Sequence, residues 1–310
     1  MEESVMEIIT KMSNLDAILE NLKKYKLPTE QEIKFICDKA SEILINLDNI
    51  AIVECPLIVC GDIRGQFKDL LELFNICGKI PDINYLFLGN IVGNRDGHNI
   101  ETLLFILILK IKYPNRITFI RGHKETSLND LRFDLENECK IRFGNYKVFN
   151  MFLNIFNLFQ IAAIIKQKIF CIHGGICPEI DSLDDIKNID RKNDTQIYNP
   201  LILDLLTSQP DEEVDTFTIP IKGMGYIFGE KALDKFYQKN NFDFFIRGHD
   251  VEEEGYRYYF NNKLISLWSA PNFSTIIKNK ASVLEFDEHM NKNIKIIEAY
   301  PNDEEKTAIK

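Results

Sequence analysis

The chain has 310 residues, of which 45% are hydrophobic, so it can bury the core of one large domain or two small ones. Its formal net charge of -10 argues against nucleic acid or an anionic membrane as the main partner. The seven cysteines include no CxxC pair, and the acidic N-terminus lacks the apolar core of a signal peptide. We therefore expect reduced thiols, no membrane span, and a location in the cytoplasm or the nucleus.

The first 121 residues predict two amphipathic helices followed by alternating strands and helices. The helices are expected at residues 14–24 and 29–46, and the second begins with a capping box at Thr29. The strands and helices that follow are predicted at residues 57–60, 66–76, 84–89, 100–112 and 117–121. Their β-α-β-α-β order predicts a mostly parallel sheet with right-handed crossovers.

The remainder predicts helices first and strands last. Helices are expected at residues 126–165, 201–206 and 230–238. Strands are then expected at residues 243–247, 256–260, 263–268, 281–286 and 293–298, which implies a second sheet packed on the first. Asn261-Asn262 predicts a tight hairpin. We expect a single domain over residues 1–300, including the N-terminal helices at 14–46, and a disordered tail at 301–310.

Five apolar, strand-like runs each end at a side chain that could bind a metal ion or a phosphate group. These side chains are Asp62, Asn90, His123, His173 and His249. One such residue alone would be read as a turn aspartate or a structural histidine. Three of the chain's five histidines share this position, however, and imidazole is the commonest metal ligand. A shared site at the ends of the strands is therefore the better interpretation.

The motifs around these residues resemble the signature set of the phosphoprotein phosphatases, which are two-metal serine/threonine phosphatases. The motifs are GDIRGQ (61–66), FLGN (87–90), RGHKE (121–125), HGG (173–175), RGH (247–249) and SAPNF (269–273). The resemblance covers roughly residues 14–300, and the text between the motifs is most similar to the type 2A catalytic subunit. It implies an α/β (α+β) metallophosphoesterase-like fold, a two-sheet β-sandwich flanked by helices.

The resemblance also implies six metal-ligand positions, and the residues present there differ from the family's at three. The positions are Asp62, Arg64, Asn90, His123, His173 and His249. A guanidinium cannot bind a cation, and a neutral amide cannot replace the aspartate that bridges two ions. We predict at most one divalent ion (zinc, manganese or iron), bound by the three histidines, with Asn90 or water completing the shell and Asp62 as a further ligand position. A metal-free histidine cluster is the alternative.

The catalytic positions implied by the resemblance are altered as well. Lys124 stands where the family has the histidine thought to protonate the leaving alkoxide. Its orienting aspartate is matched by Asn94 or, in another alignment of residues 91–97, by Gly93. Arg95 and Lys222 match phosphate-binding arginines. Phe273 replaces the tyrosine of the last motif and, with Arg64, completes the expected substrate-binding set.

These substitutions fall on linked functions while the scaffold motifs survive, which favours a kept fold with abandoned or rebuilt chemistry over neutral drift. We expect a catalytically impaired phosphatase-like protein, a pseudophosphatase, that binds phosphoproteins or phosphatase scaffold and regulatory subunits. The alternative is an active phosphoserine/phosphothreonine hydrolase with a rebuilt, one-metal site. A sugar or nucleotide hydrolase has no supporting feature.

Arg64 could have either of two opposed roles in the pocket. Together with Arg95, Lys124 and Lys222, it could form a cationic pocket that binds phosphate without metal. Alternatively, it could pair with Asp62 two residues away and fill the place of the first metal ion. The sequence leaves both open.

Overall fold

The computed structural model describes residues 5–94, 97–126, 129–192, 199–273 and 278–300, with the backbone alone for residues 5–13 and 129–133. The predicted tail at 301–310 lies outside the described residues. The helices are α1 (Val5–Leu22), α2 (Glu30–Leu44), α3 (Phe67–Cys77), α4 (Asn99–Lys112), α5 (Asn129–Phe143), α6 (Lys147–Phe156), α7 (Leu183–Lys187), α8 (Pro200–Thr207) and α9 (Glu230–Asn240).

The strands form two large sheets and one small one. They are β1 (Ile50–Val53), β2 (Leu57–Cys60), β3 (Asn84–Phe87), β4 (Ile117–Phe119), β5 (Ala162–Ile165), β6 (Ile169–Ile172), β7 (Gln209–Pro210), β8 (Phe217–Thr218), β9 (Ile227–Phe228), β10 (Phe244–Arg247), β11 (Tyr256–Tyr259), β12 (Leu264–Leu267), β13 (Ala281–Phe286) and β14 (Lys292–Ile297). The sheet orders are β1-β5-β6-β10-β12-β11, β14-β13-β2-β3-β4 and β7-β9-β8.

The two large sheets pack face to face, with helices on both outer faces. One apolar cluster joins Val59 and Leu86 of one sheet to Ile246 and Leu267 of the other. A second cluster packs α1 to α6 on the outside of the β2 sheet, and a third packs α7 to α9 on the outside of the β6 sheet. This arrangement confirms the predicted two-sheet sandwich flanked by helices.

Three details of the predicted sheets were wrong. The short edge strand β1 was missed, and β5 was predicted as part of a helix because its continuous apolar run shows no period. The C-terminal strands do not form a sheet of their own. β10 to β12 extend the β6 sheet, whereas β13 and β14 extend the β2 sheet. Local patterning identifies such strands but not their long-range partners.

The hydrogen-bonding pattern brings the predicted site residues to one edge of the sandwich. β2, β3 and β4 are parallel to one another, and so are β6, β10 and β12. The carboxyl ends of each set therefore lie together, and the loops that follow them carry the polar residues. The Asn261-Asn262 hairpin is confirmed, because both residues have positive φ between the antiparallel β11 and β12.

No described helix is both long enough and apolar enough to cross a membrane. All seven cysteines are free, and all but the half-buried Cys55 are buried, as predicted.

The capping box of α2 is confirmed and yields a stability prediction. The Thr29 side chain accepts a hydrogen bond from the Glu32 backbone, and the Glu32 carboxylate accepts one from the Thr29 backbone. Thr29→Ala is expected to lower the free energy of unfolding by about 1 kcal/mol, because it leaves one helix N–H without its acceptor. Chemical denaturation checks this, with Thr29→Ser as the control that should change little. An equal loss in both variants would contradict the capping explanation.

Candidate functional site

Asp62 lies at the centre of the site, where β2 ends, and it is fully buried. Its Oδ2 accepts hydrogen bonds from Arg64 Nε at 2.9 Å and from Asn90 Nδ2 at 2.7 Å. Its Oδ1 accepts one from the His249 backbone N–H at 2.9 Å. Protein donors therefore engage both carboxylate oxygens, one of them through an ion pair.

Arg64 is held in place from several sides. Its guanidinium carbon lies 5.3 Å from the centre of the Trp268 ring and 5.2 Å from that of Phe273, within the range of cation–π attraction. The backbone of Arg64 has a φ of 55° and donates to the Asn90 carbonyl at 2.9 Å. The positive charge is thus fixed beside Asp62, which favours the second of the two hypotheses about this residue.

The neighbouring Asn90 amide is oriented by its partners. Its Oδ1 accepts from the Lys124 backbone N–H at 2.7 Å, so its Nδ2 faces Asp62. The buried Glu125 carboxylate accepts from the backbone N–H groups of Asn90 and Gly122, at 2.8 and 3.0 Å. Burial outweighs these bonds and raises the pKa of Glu125 to about 7. Gly122 has no room for a side chain, because a Cβ there would lie 2.1 Å from the Asn90 nitrogen.

The three predicted histidines do come together. The ring centre of His249 lies 5.5 Å from that of His123 and 5.2 Å from that of His173. His173 Nδ1 donates to the Leu88 carbonyl at 2.8 Å, which leaves the lone pair on its Nε2. Burial lowers the pKa of His123 and of His249 to about 3 and that of His173 well below its usual range, so all three rings are neutral at pH 7.

One nitrogen of each histidine is buried without a hydrogen-bond partner within the part of the chain that the structure describes. These atoms are His123 Nε2, His173 Nε2 and His249 Nδ1. Buried polar atoms are normally paired, and an unpaired imidazole nitrogen is the donor that zinc and related ions bind. The histidine cluster therefore offers a donor set for one ion.

The donor set does not fit the family's two-metal centre. The Asp62 carboxylate accepts hydrogen bonds from protein donors. The Arg64 guanidinium occupies the position from which a metal ion would bind the Asp62 oxygens. The ligands of a tetrahedral zinc ion lie roughly 3.4 Å apart. Among the described residues, one group of three potential ligands has its ligand atoms within 4.8 Å of one another. It consists of Cys177, Glu179 and Asp204, was not predicted, and does not include the three histidines. The histidine rings would have to approach one another to share an ion.

Lys124 is half-buried beside the site. Its pKa is lowered mainly by burial and, to a smaller extent, by the nearby positive charge of Arg64. A Cβ at Gly93 would lie 2.6 Å from Lys124 Cγ, so Gly93 is the residue packed against the lysine stem. Asn94 instead has its backbone hydrogen-bonded to the Asn99 side chain. Arg95 lies outside the described residues.

Among the predicted cations that the structure describes, Lys222 shares a cavity with two of the histidines, His123 and His249. The cavity has a volume of about 210 Å³ and is lined by Lys222, His123, His249 and Met224, among others. Arg64, Lys124 and Phe273 do not line it. The predicted substrate-binding residues that the structure describes thus separate into Lys222, which lines the histidine cavity, and Arg64 with Phe273, which do not.

Two residues that position the site were not predicted. Trp268, which packs on Arg64, is the only tryptophan of the chain and directly precedes the SAPNF motif. That position was a usable signal. Glu125 lies within the RGHKE motif, but a backbone-binding role for a buried carboxylate is not encoded in local sequence.

Solved structures resemble the whole of this fold. A protein serine/threonine phosphatase from Saccharomyces cerevisiae with similarity to human phosphatase PP5 matches with a TM-score of 0.82 and 27% identity, over 96% of this chain and 98% of that chain. A cold-active protein-tyrosine phosphatase from a psychrophilic Shewanella species matches with a TM-score of 0.55 and 16% identity, over 83% and 85% of the respective chains. The second likeness extends to the fold alone.

The family model described as calcineurin-like phosphoesterase matches residues 55–253, which is more than half of the chain. That range includes Asp62, Asn90 and all three clustered histidines. The chain belongs to the calcineurin-like phosphoesterase family.

Proposed function

We propose that the chain is a serine/threonine phosphatase-like protein that binds phosphorylated proteins and has lost efficient two-metal hydrolysis. The observation that carries this proposal is the Asp62 carboxylate, whose oxygens are engaged by Arg64, Asn90 and the His249 backbone. Phosphatase scaffold or regulatory subunits are further proposed partners, on the ground that the motifs resemble those of the phosphoprotein phosphatases.

The electrostatics support the loss of the two-metal centre. Members of this family use divalent metal ions. Here the guanidinium of Arg64 would repel a metal ion beside Asp62. The uncharged Asn90 amide directs an N–H group, not a lone pair, toward Asp62 Oδ2, the oxygen that also accepts from Arg64. At the general-acid position, Lys124 is a weaker proton donor at neutral pH than a histidine would be.

The histidine cavity supports phosphate binding without metal. Lys222 supplies a positive charge, and the unpartnered nitrogens of His123 and His249 belong to side chains that line the same cavity. A neutral imidazole can donate one N–H bond to a phosphate oxygen, and a lysine ammonium can donate three. These groups hold a phosphoryl group in place, but they do not activate water for attack on it.

A second candidate function is hydrolysis with a single metal ion. The three unpartnered histidine nitrogens favour it, because they are the donor types that zinc, manganese and iron accept. An ion bound there would polarise the phosphoryl oxygens and lower the pKa of a bound water.

Metal content tests the loss of the two-metal centre, and turnover separates the two candidates. Protein purified without added metal is expected to hold at most one ion per chain by elemental analysis, and to show negligible aryl-phosphate hydrolysis. A zinc titration should lose its stoichiometric phase in His173→Ala but not in His289→Ala, whose histidine is exposed and remote. Two stoichiometric ions would refute the proposal, and zinc-dependent turnover near the usual median of ~10 per second would favour the second candidate.

A further inference from the structure

The hairpin tip beside the histidine cavity carries an unusual set of exposed apolar side chains. Residues 219–226 connect the antiparallel strands β8 and β9. Within this tip, Ile219 is 76% exposed, Ile221 is fully exposed and Met224 is 47% exposed. Exposed apolar side chains grouped in this way mark an interaction surface. We call these three residues the apolar rim.

The base of this hairpin is fixed to the scaffold. The Gln209 backbone N–H donates to the Tyr226 carbonyl, and the Tyr226 N–H donates to Ser208 Oγ at 3.0 Å. A Cβ at Gly225, whose φ is 76°, would lie 2.6 Å from Thr207 Oγ1, so this part of the loop is pressed against the end of α8. The apolar rim is therefore presented from an anchored base.

The rim is continuous with the cavity that holds the histidines. Lys222 and Met224 line the cavity, and Ile221 is the chain neighbour of Lys222. Lys222 has no ion-pair partner among the residues that the structure describes. A ligand whose anionic group enters the cavity to meet Lys222 would thus place its adjoining part against the rim.

We propose that the apolar rim selects phosphorylated peptides that carry a large apolar side chain next to the phosphorylated residue. The proposal rests on phosphate binding in the histidine cavity, as argued above. Because Ile221 and Lys222 are adjacent in the chain, their Cα atoms lie about 3.8 Å apart, so a peptide whose phosphate meets Lys222 can reach Ile221 with a neighbouring residue. An anionic membrane fits less well, because the chain has a net charge of -10 and the cation faces a cavity of only about 210 Å³.

Four peptides test both parts of the proposal separately. They share one sequence with serine or phosphoserine at the centre, flanked on both sides by either leucine or serine. Calorimetric titrations are run in chelator on the full chain. The phosphorylated, leucine-flanked peptide is expected to bind wild type about tenfold more tightly than the phosphorylated, serine-flanked one, which is the usual size of discrimination for one apolar contact.

Ile221→Ser is expected to remove this preference and to leave the affinity for the serine-flanked phosphopeptide unchanged. Because Ile221 is fully exposed, the variant should fold normally. Ile141→Ser is the matched control, since Ile141 is 72% exposed near the end of helix α5 and does not line the cavity. It should keep the wild-type preference.

Each outcome decides one part. Equal affinity for the two phosphopeptides, or a preference that survives in Ile221→Ser, overturns the role of the rim. Equal affinity for phosphorylated and unphosphorylated peptides, or no binding of any peptide, overturns phosphate recognition in the cavity. Binding to phosphatidylserine vesicles that Ile221→Ser abolishes, without discrimination among peptides, would replace the peptide by a membrane surface.

Discussion

The triple variant Arg64→His, Asn90→Asp, Lys124→His is expected to hydrolyse a phosphoserine peptide at least about 10³-fold faster than wild type when manganese is supplied. Wild type should show negligible turnover in the same assay. The three changes remove the cation beside Asp62 and, at the positions that the resemblance implies, supply a negative bridging ligand and a general acid with a pKa near neutrality. The measurement is peptide dephosphorylation under single-turnover and steady-state conditions.

The structure predicts a further property of this variant. Asn90 Nδ2 lies 2.7 Å from Asp62 Oδ2, so Asn90→Asp would bring two carboxylates together. Without metal they repel each other and destabilise the fold, whereas a divalent ion between them removes the repulsion. Manganese should therefore raise the melting temperature of the triple variant and leave that of wild type almost unchanged.

Two controls assign the gain in rate. The double variant that retains Lys124 should recover metal binding but remain about 10² to 10⁴-fold slower than the triple variant, the usual contribution of a general acid. Adding His173→Ala to the triple variant should abolish the gain. If the triple variant binds two ions and still fails to turn over, the pocket itself has been reshaped, and the substituted side chains are not the whole cause.

The residues of this site could be predicted because each follows an apolar strand. Strand patterning placed Asp62, Asn90 and the histidines at the ends of strands. Parallel pairing brings together the residues of each sheet, and the face-to-face packing of the two sheets brings both sets to one edge of the sandwich. Motif spacing could not reveal which donor engages which oxygen. The pairing of Arg64 with Asp62 two residues away was one of two hypotheses that the sequence left open. The packing of Trp268 on the guanidinium depends on a contact across about 200 residues of chain, which local patterning does not show.

The sheet assignment shows the same limit. The pattern of residues 281–286 and 293–298 identifies strands, but nothing local decides that β13 pairs with β2 and not with β12. That choice is made by the core between the sheets, where Leu284 and Phe286 pack with residues of both. Side-chain alternation shows which face of a strand is buried, but it does not show which sheet the strand joins.

Arg64→Ala is expected to lower the free energy of unfolding by about 3 kcal/mol and to leave phosphate affinity unchanged. Asp62 is fully buried, and the Arg64 side chain is only 12% exposed, so the substitution leaves a buried carboxylate without its counter-charge. The hydrogen bonds from Asn90 and the His249 backbone remain, which places the loss at the lower end of the range for buried pairs. Chemical denaturation measures the loss.

This prediction has two controls, a substitution in an exposed ion pair and a double-mutant cycle with Asp62→Asn. Lys34→Ala breaks the exposed Lys34–Asp38 pair and should cost at most about 0.5 kcal/mol. In a chain that already carries Asp62→Asn, Arg64→Ala should cost less than it does in wild type, because the neutral amide no longer needs a counter-charge. Equal costs in both backgrounds would show that Arg64 acts through its packing on Trp268 and Phe273 alone.

Phosphate titration decides between the two hypotheses about Arg64. If Arg64 fills the place of the first metal ion, phosphate affinity in chelator should persist in Arg64→Ala and fall in Lys222→Ala, because Lys222 lines the histidine cavity and Arg64 does not. A folded Arg64→Ala variant that loses phosphate binding tenfold or more would show that its guanidinium reaches the ligand. Arg64 would then be a phosphate-binding arginine that pairs with Asp62 when no ligand is bound. A phosphate group would compete with Asp62 for its guanidinium.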